Sequence, residues 1–333
     1  MKKVILFLGY VFLYFSITAQ DIHYTQFFNA PLTLNPALTG LTRGDYRLGA
    51  AYRGQWTDTS QTLYSTPSLF FDMPIHILND AIGIGGILKS NVVNTNSLRA
   101  FTGCFSVSYI KSLGKKNNHQ LSIGAQIGYS NKFINATELP FSTQFIGNTN
   151  IPTPTNGIDY IPTSFSVFNV NAGVLWFGRI DQRISMYAGA SVYNVFSAQA
   201  QPASLATQRF LKWNVHTGID ITLGRIVHLL PSFLFNMQPN ANELLPGLSI
   251  AYDITPAATL TLGSILHTHN FYSKNANINA AALYTSFDFK GFKLGLSYDF
   301  PISKTQKLGA IEITAIYIGK KKNSKSIIFC PMF

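Results

Sequence analysis

The most regular feature of the chain is an alternation of apolar and polar residues with a period of two. From Leu121 to Ser130, every second residue is apolar or aromatic, and the residues between them are serine, glycine or glutamine. The pattern returns at 214–223 and at 292–300, where Lys293 and Asp299 share the polar face. Successive side chains of a strand point to opposite faces. The pattern therefore predicts strands with lipid on one side and a wet lumen on the other.

Clusters of glycine, proline and asparagine divide the chain into about fourteen predicted strands, and an even number is expected of a single-chain bacterial barrel. The predicted fold class is all-β, a transmembrane antiparallel β-barrel of the outer membrane. Pro231 and Pro246 fall inside two of the segments, where they cannot donate to a ladder. The predicted strands are 45–54, 62–73, 82–91, 98–113, 118–133, 163–178, 182–195, 209–223, 226–237, 244–254, 257–267, 277–289, 292–300 and 307–318.

Composition separates this barrel from a soluble β-sandwich, whose strands also alternate. Charged residues make up only 12% of the chain and aromatic residues 14%, whereas a soluble domain carries about 25% charged residues. A sandwich would show charged outer faces, and these are mostly missing. After the first twenty residues, no apolar run approaches the roughly 20 residues that a membrane helix needs. Apolar content that is spread by alternation favours the barrel.

The amino-terminal residues have the order of a secretory signal peptide. Lys2 and Lys3 precede an apolar stretch from Val4 to Ile17, which is short for a retained membrane anchor, the alternative interpretation. We predict a signal peptide at 1–20, an extended segment at 21–44, a barrel at 45–319 and a basic periplasmic tail at 320–333. The extended segment is either a plug or a first strand leading into the barrel. An open lumen and one filled by side chains remain alternatives.

The predicted connections differ in length between the two ends of the barrel. Those at 114–118 and 290–291 are short, whereas 134–162 and 196–208 are long and rich in proline, threonine, asparagine and glutamine. Short turns of outer-membrane barrels face the periplasm and long loops face outward. The segment 134–162 is therefore the candidate external binding loop.

Residue types that carry chemistry form no organised catalytic set. His267 and His269 share one strand face, but no cysteine or carboxylate lies near them in sequence to complete a metal site. Nothing in the spacing of serine, histidine and asparagine selects a hydrolase triad. Glu312 falls on the inward register of the last strand, where we expect it to pair with a basic residue of the lumen. We expect no enzymatic activity, no cofactor and no metal.

Charge and cysteine content add two open questions. The net charge is +11, and Lys320–Lys322 with Lys325 concentrate it in the tail. Such a cluster suits nucleic acid or a solvated tail at a membrane surface, and an exported chain favours the second. Cys104 and Cys330 are too few for a disulfide framework. We favour two free thiols, with a bridge between them as the alternative.

Three blocks of sequence together resemble the PorP/SprF family. The first runs from Gln26 to Gly40, the second is the stretch from Tyr52 to Thr57 followed by Thr66–Ser68 and Asp72–Pro74, and the third is the lysine-rich carboxy terminus. We interpret Asn35–Pro36 as a turn without a binding role, Trp56 as an anchor of the first strand at the interface and Arg53 as a residue of the lumen. Contact with a partner is the alternative for each. The motif positions of unassigned role are Asn35, Pro36, Arg53, Gln55, Trp56, Cys330, Pro331 and Phe333.

The resemblance implies an outer-membrane barrel of the type IX secretion and gliding-motility machinery. Such a protein would help to export or hold at the surface a secreted protein that carries a type IX sorting domain. Its other partners would be secretion components on the periplasmic side and outer-membrane lipid, with no nucleic acid. Phe333 resembles the terminal aromatic residue of a barrel insertion signal, but Pro331 argues against a final strand there. The alternative function is a channel or transporter for small or hydrophobic molecules.

Overall fold

The computed structural model describes residues 24–57, 62–93, 98–114, 118–134, 164–199, 211–239, 241–269, 277–302 and 308–320. The predicted signal peptide, the loop 134–162 except its first residue, and the tail with Cys330, Pro331 and Phe333 lie outside these residues. So does most of the connection 196–208. None of the helices in the described ranges is long and apolar enough to cross a membrane.

Fourteen antiparallel strands form a closed barrel in which each strand pairs with its neighbours in sequence, and β1 pairs with β14 to close it. This confirms the predicted fold class and strand count. The strands are β1 Tyr46–Thr57, β2 Thr62–Ile77, β3 Asp80–Val93, β4 Leu98–Leu113, β5 His119–Ile134, β6 Ser164–Arg179, β7 Ile184–Gln199, β8 Lys212–Leu223, β9 Val227–Gln238, β10 Ala241–Thr255, β11 Ala258–His269, β12 Asn277–Phe289, β13 Phe292–Pro301 and β14 Gly309–Gly319.

The period-two pattern sorts side chains between the two faces of the wall as predicted. On β5, Ile127 is 61% exposed on the outer face, while Gln126 is 2% exposed on the inner face. On β13, Leu294 is 60% exposed and Lys293 is buried. Apolar side chains on the outer face suit the hydrocarbon of a bilayer, where a charge would cost about 2–4 kcal/mol at the midplane.

Both prolines that the sequence placed inside strands are accommodated there. Pro231 pairs with Leu248, and Pro246 pairs with Phe233, along the ladder between β9 and β10. On their other sides, the ladders with β8 and β11 are interrupted next to each proline. A proline has no N–H to donate. Each of these two strands therefore pairs completely with one neighbour and only partly with the other.

Short turns gather at one end of the barrel, which we call the turn end. The two-residue turn at Lys290 and Gly291 has positive φ angles of 51° and 88°, as a type I′ hairpin turn requires. The turn at 256–257 is equally short, and β1 begins and β14 ends at this same end. The opposite end, the loop end, carries the segments 135–163 and 200–210.

Residues 24–42 lie inside the barrel, and we call them the plug. The plug consists of a 3₁₀ turn at Phe27–Asn29, a one-turn helix α1 at Pro31–Leu34 and a second 3₁₀ turn at Pro36–Leu38. Its apolar side chains form the main buried core together with inward-facing residues of the wall. The core includes Phe27, Leu34, Leu38 and Leu41 from the plug and Leu175, Phe177, Leu234, Leu245 and Ile265 from the wall.

Part of the inner face that meets the plug is therefore apolar, which differs from the wet, polar lumen predicted from alternation. Leu175 and Phe177 are each only 1% exposed although they point inward from β6. An apolar inner surface would be poorly solvated in an open channel, and the plug removes it from water.

Candidate functional site in the barrel lumen

The beginning of the plug is held by a buried carboxylate on the last strand. Glu312 of β14 accepts hydrogen bonds from the backbone N–H groups of Thr25, at 2.8 Å, and Gln26, at 2.9 Å. The Glu312 side chain is fully buried. Because the 3₁₀ turn that follows leaves its first N–H groups without partners inside the turn, a carboxylate is well suited to this position.

Arg53 neutralises this carboxylate and a second one. From β1 it donates to Glu312 at 3.1 Å and to Asp299 of β13 at 2.7 Å, and it is itself 2% exposed. Its Nη1 also donates to the hydroxyl of Thr25 at 2.6 Å, and that hydroxyl donates to Asp299. These charged side chains connect the plug to β1, β13 and β14, the strands at which the barrel closes. The prediction that Glu312 pairs with a basic residue of the lumen is confirmed.

A second buried ion pair holds the end of the plug. Arg47 of β1 and Asp72 of β2 form two hydrogen bonds of 2.9 and 2.8 Å. Asp72 also accepts from the backbone N–H of Gly40 at 2.7 Å, and Arg47 donates to the carbonyl of Leu38 at 3.2 Å. Arg47 and Arg53 lie an even number of positions apart on one strand, so both point inward. One strand therefore fixes both ends of the plug.

Asn35 connects the middle of the plug to the opposite wall. Its Oδ1 accepts from the N–H of Ala37 at 2.9 Å, which caps the turn that begins at Pro36. Its Nδ2 donates to the wall carbonyls of Val174, at 3.0 Å, and Ala190, at 3.2 Å. The Asn35–Pro36 turn foreseen in the sequence is present, and the same asparagine also bonds to two strands.

Hydroxyl and amide groups of the wall satisfy the carbonyls of the plug. Short helical turns leave several carbonyls without partners inside the segment, and an unpaired buried carbonyl would cost about 1–3 kcal/mol. Tyr24 forms a bond in which the plug is the donor, because its hydroxyl donates to the Ser68 hydroxyl of the wall at 2.8 Å. Burial raises the pKa of this phenol. The wall donors are Ser108 to Thr39, Ser122 to Ala37, Ser191 and Asn214 to Leu34, and Gln126 to Leu32.

Glycines of the wall make room for the plug. A Cβ atom at Gly124 would lie 2.3 Å from the carbonyl carbon of Pro36, and one at Gly83 would lie 2.0 Å from the carbonyl oxygen of Thr39. Gly173 and Gly295 meet Asn35 and Gln26 in the same way. Glycine within a strand often marks a site where another backbone approaches closely, and at these positions the approaching backbone or side chain belongs to the plug.

Gly124→Val should therefore weaken the seating of the plug by about 1–3 kcal/mol, the usual cost of overpacking. Backbone atoms of Pro36 and Ala37 would have to move, since they lie within 2.4 Å of the new Cβ. The measurement is the temperature at which the folded band is lost on gel electrophoresis. Gly103→Val is the matched control, because its Cβ meets only a methyl group of Leu88 at 3.3 Å. Equal loss of stability in both variants would contradict the close approach.

The remaining motif positions on described residues lie near the loop end of β1. Trp56 has a positive φ of 54°, is 36% exposed and makes a T-shaped contact with Tyr64, with ring centroids 4.6 Å apart. Gln55 pairs with Ala310 and Tyr64 in the two ladders of β1. The sequence placed Asp299 on the polar face of its strand without assigning it a role, and it did not single out Arg47. Its even spacing from Arg53 on β1 was the sequence signal that would have found Arg47.

His267 and His269 approach a carboxylate that is distant in sequence. Glu243 of the neighbouring strand lies 3.2 Å from His267 and 3.3 Å from His269, and His267 also lies 3.9 Å from Asp299. Within the described ranges, no group of three or more histidine, cysteine or acidic residues is arranged to hold a metal ion. The strand pairing thus joins these histidines to the buried charge network around Arg53.

Within the described part of the chain, the lumen contains at least two chambers beside the plug. The first, of about 120 Å³, lies toward the turn end and has mixed charge, with Arg43, Asp220, Asp288 and Lys293 among its lining residues. The second, of about 70 Å³, lies toward the loop end, and six of its twenty lining residues are asparagines. Both are small compared with the lumen of a barrel that holds a water-filled channel.

A closed fourteen-strand barrel with an apolar outer face and a plug formed by its own amino-terminal segment defines a plugged barrel of the outer-membrane type. The family described as type IX secretion system membrane protein PorP/SprF matches residues 16–317. This chain belongs to that family. The resemblance drawn from the sequence blocks is therefore confirmed, and family and fold together indicate the outer membrane.

Solved structures of low sequence identity share the barrel fold. The monoaromatic hydrocarbon channel CymD aligns with a TM-score of 0.57 at 10% identity, over 89% of this chain and 94% of that one. The toluene transporter TodX of P. putida aligns with a TM-score of 0.53 at 11% identity, over 88% and 94%. CdiB from Escherichia coli aligns with a TM-score of 0.50 at 7% identity, over 82% and 63%. No curated protein matches the chain in sequence.

Proposed function

We propose that this chain is a non-catalytic barrel of the type IX secretion and gliding machinery that helps to export or anchor one secreted protein at the cell surface. Its family supports a place in type IX secretion. The client would carry a type IX sorting domain, and other secretion components would meet the barrel on the periplasmic side. The chain would reach the outer membrane after loss of residues 1–20.

The observation that carries the proposal is the seated plug. It is tied to β1, β2, β13 and β14 through buried charges and to β4, β5, β6, β7 and β8 through hydrogen bonds. A polypeptide in transit would have to break these contacts together. We therefore infer that the barrel contributes by holding a partner at its ends and loops, while the client crosses the membrane elsewhere.

Deletion of the gene tests this role. We expect mass spectrometry of surface and secreted proteins to show the loss of one or a few proteins with type IX sorting domains, because the barrel that holds them is gone. Complementation with the wild-type gene should restore them. An unchanged set of surface proteins would contradict the proposal.

The second candidate is a channel for small or hydrophobic molecules. CymD and TodX are titled a hydrocarbon channel and a toluene transporter, and the two chambers of this lumen leave room for small solutes on both sides of the plug. This function predicts that uptake of a solute falls in the deletion strain while the exported proteins stay unchanged. The same deletion strain therefore separates the two candidates.

A further inference from the structure

Aromatic side chains form a row on the outer face of the wall where β14 pairs with β1, close to the turn end. At its centre, the ring centroid of Tyr317 lies 4.4 Å from that of Phe292 on β13 and 6.0 Å from that of Tyr46 on β1. Tyr46 continues the row to Phe71 on β2, with ring centroids 6.4 Å apart. In outer-membrane barrels, such aromatic residues lie at the interface between hydrocarbon and water. We call these four residues the seam belt.

Lys290 occupies a backbone position that favours other residue types. It is the first central residue of the two-residue turn between β12 and β13, where its φ is 51°. Type I′ turns prefer asparagine, aspartate or glycine at this position, because these residues tolerate a positive φ. A lysine that is kept in a less favourable conformation indicates a use for its side chain.

The ammonium group of Lys290 lies on the lipid side of the wall. Its Nζ atom is 5.1 Å from the ring centroid of Phe289, which is exposed on the outer face and pairs with Phe292 of the seam belt. A cation over an aromatic ring is attracted by the electrons of the ring. Lysine can lay its methylene groups along an apolar surface while its charged end stays at the level of the lipid headgroups. The turn therefore presents a positive charge beside the seam belt rather than to the lumen.

Lys320 brings a second cation to the same place. Ile318, two positions before it, donates its backbone N–H to the carbonyl of Gly291 at 2.8 Å, so the end of β14 lies against the turn that carries Lys290. Both lysines are exposed. Neither forms an ion pair within the part of the chain that the structure describes. Two cations at adjacent strand ends repel each other, and an anion between them would replace that repulsion with attraction.

The surroundings of the two lysines favour a lipid as the source of that anion. Asp288 faces the turn-end chamber rather than the lipid, and Asp45 is half-buried and already has an interaction. An acidic protein would meet the turns from the periplasm, whereas the Lys290 ammonium lies over an exposed ring of the outer wall. A phospholipid presents its phosphate at the level of the aromatic residues and its acyl chains to the apolar wall beyond them.

We propose that Lys290 and Lys320 bind the headgroup of an anionic phospholipid, whose acyl chains lie against the seam belt. The lipid belongs to the leaflet that faces the periplasm, because the turn end lies on that side. The bound headgroup bridges the turn between β12 and β13 and the end of β14, so it holds the wall together beside the closure of the barrel. This binding is independent of the secretion role, so each stands or falls by its own experiment.

Native mass spectrometry of the full protein with equal amounts of phosphatidylglycerol and phosphatidylcholine tests the proposal. Both lipids carry a phosphate, but only phosphatidylglycerol has a net negative charge. A lysine near a lipid surface favours an anionic lipid about fivefold, so two lysines should give a preference of about 25-fold. Lys290→Asn should lower this preference about fivefold. Addition of Lys320→Gln should abolish the preference.

Lys290→Asn should fold at least as well as the wild-type protein, because asparagine suits a type I′ turn, and gel mobility of unboiled samples verifies this. The matched control, Arg183→Gln with Arg225→Gln, removes two exposed cations from other turns at the same end and should leave the preference unchanged. The proposal is overturned if both double variants lose the preference equally, or if soluble glycerol 3-phosphate at the same concentration displaces the lipid. A wild-type protein without preference would also overturn it and would leave the lysines to an acidic periplasmic protein.

Discussion

Arg53→Met should destabilise the plugged barrel by about 3–5 kcal/mol, the typical effect of removing one partner from a buried ion pair. Arg53 is the partner of Asp299 at 2.7 Å and of Glu312 at 3.1 Å, and both acids are nearly inaccessible to water. Without the guanidinium, two buried carboxylates would face each other and the first residues of the plug would lose their support. The measurement is loss of the folded gel band with rising temperature or urea.

Two further variants make this result specific. Lys111→Met removes a cation from a pair with Asp80 at the same kind of distance, 2.8 Å, but the lysine is 50% exposed, so stability should change little. Adding Asp299→Asn and Glu312→Gln to Arg53→Met should restore part of the loss, because the unpaired charges are then gone. If Lys111→Met were as harmful as Arg53→Met, the buried network would not be the cause.

Removal of residues 24–42 should convert a barrel with a blocked lumen into a conducting one. The plug supplies the centre of the lumen core, while the ladders from β1 to β14 close without it. The shortened chain should keep its heat-modifiable mobility and should show large, steady conductance in planar lipid bilayers, where the full chain shows little. A shortened chain that folds and remains non-conducting would mean that other residues close the lumen.

A locked plug provides the matched control for conductance. The hydroxyl oxygens of Thr39 and Ser106 lie 2.6 Å apart, so Thr39→Cys with Ser106→Cys should form a disulfide between plug and wall. Cys104→Ser and Cys330→Ser would remove the native thiols. The oxidised variant should stay closed even with Arg53→Met, and reduction should release it. Conductance that is the same before and after reduction would show that Arg53 does not hold the plug.

Strand positions were accessible from sequence because they depend on neighbours only two residues apart. A strand in this wall needs apolar groups outward and small or polar groups inward, and each segment carries that requirement within itself. The two strands 98–113 and 277–289 have the predicted bounds, and the others differ by a few residues at their ends. The inward position of Glu312 followed from the same rule.

The contacts of the plug with the wall could not be derived from strand periodicity, although the sequence contains a signal that something apolar covers part of the inner face. Alternation fails at Val174–Phe177 and around Phe233–Phe235, where consecutive apolar residues leave both faces of the wall apolar. Such a run in a barrel strand indicates that something apolar covers the inner face. Alternation alone predicts a wet, polar lumen and leaves open whether a plug fills it, and the seated plug explains why these strands differ.

Sequence by itself determined the class of fold, the number of strands and which charges point inward, since these follow from local periodicity. Only the tertiary structure decided what the inward charges do. Glu312 and Thr25 are 287 positions apart in sequence. Many other partners in the plug and the wall are separated by comparable stretches of sequence. Which distant carboxylate meets which backbone N–H depends on barrel closure and strand register, and no local pattern encodes a contact of that range.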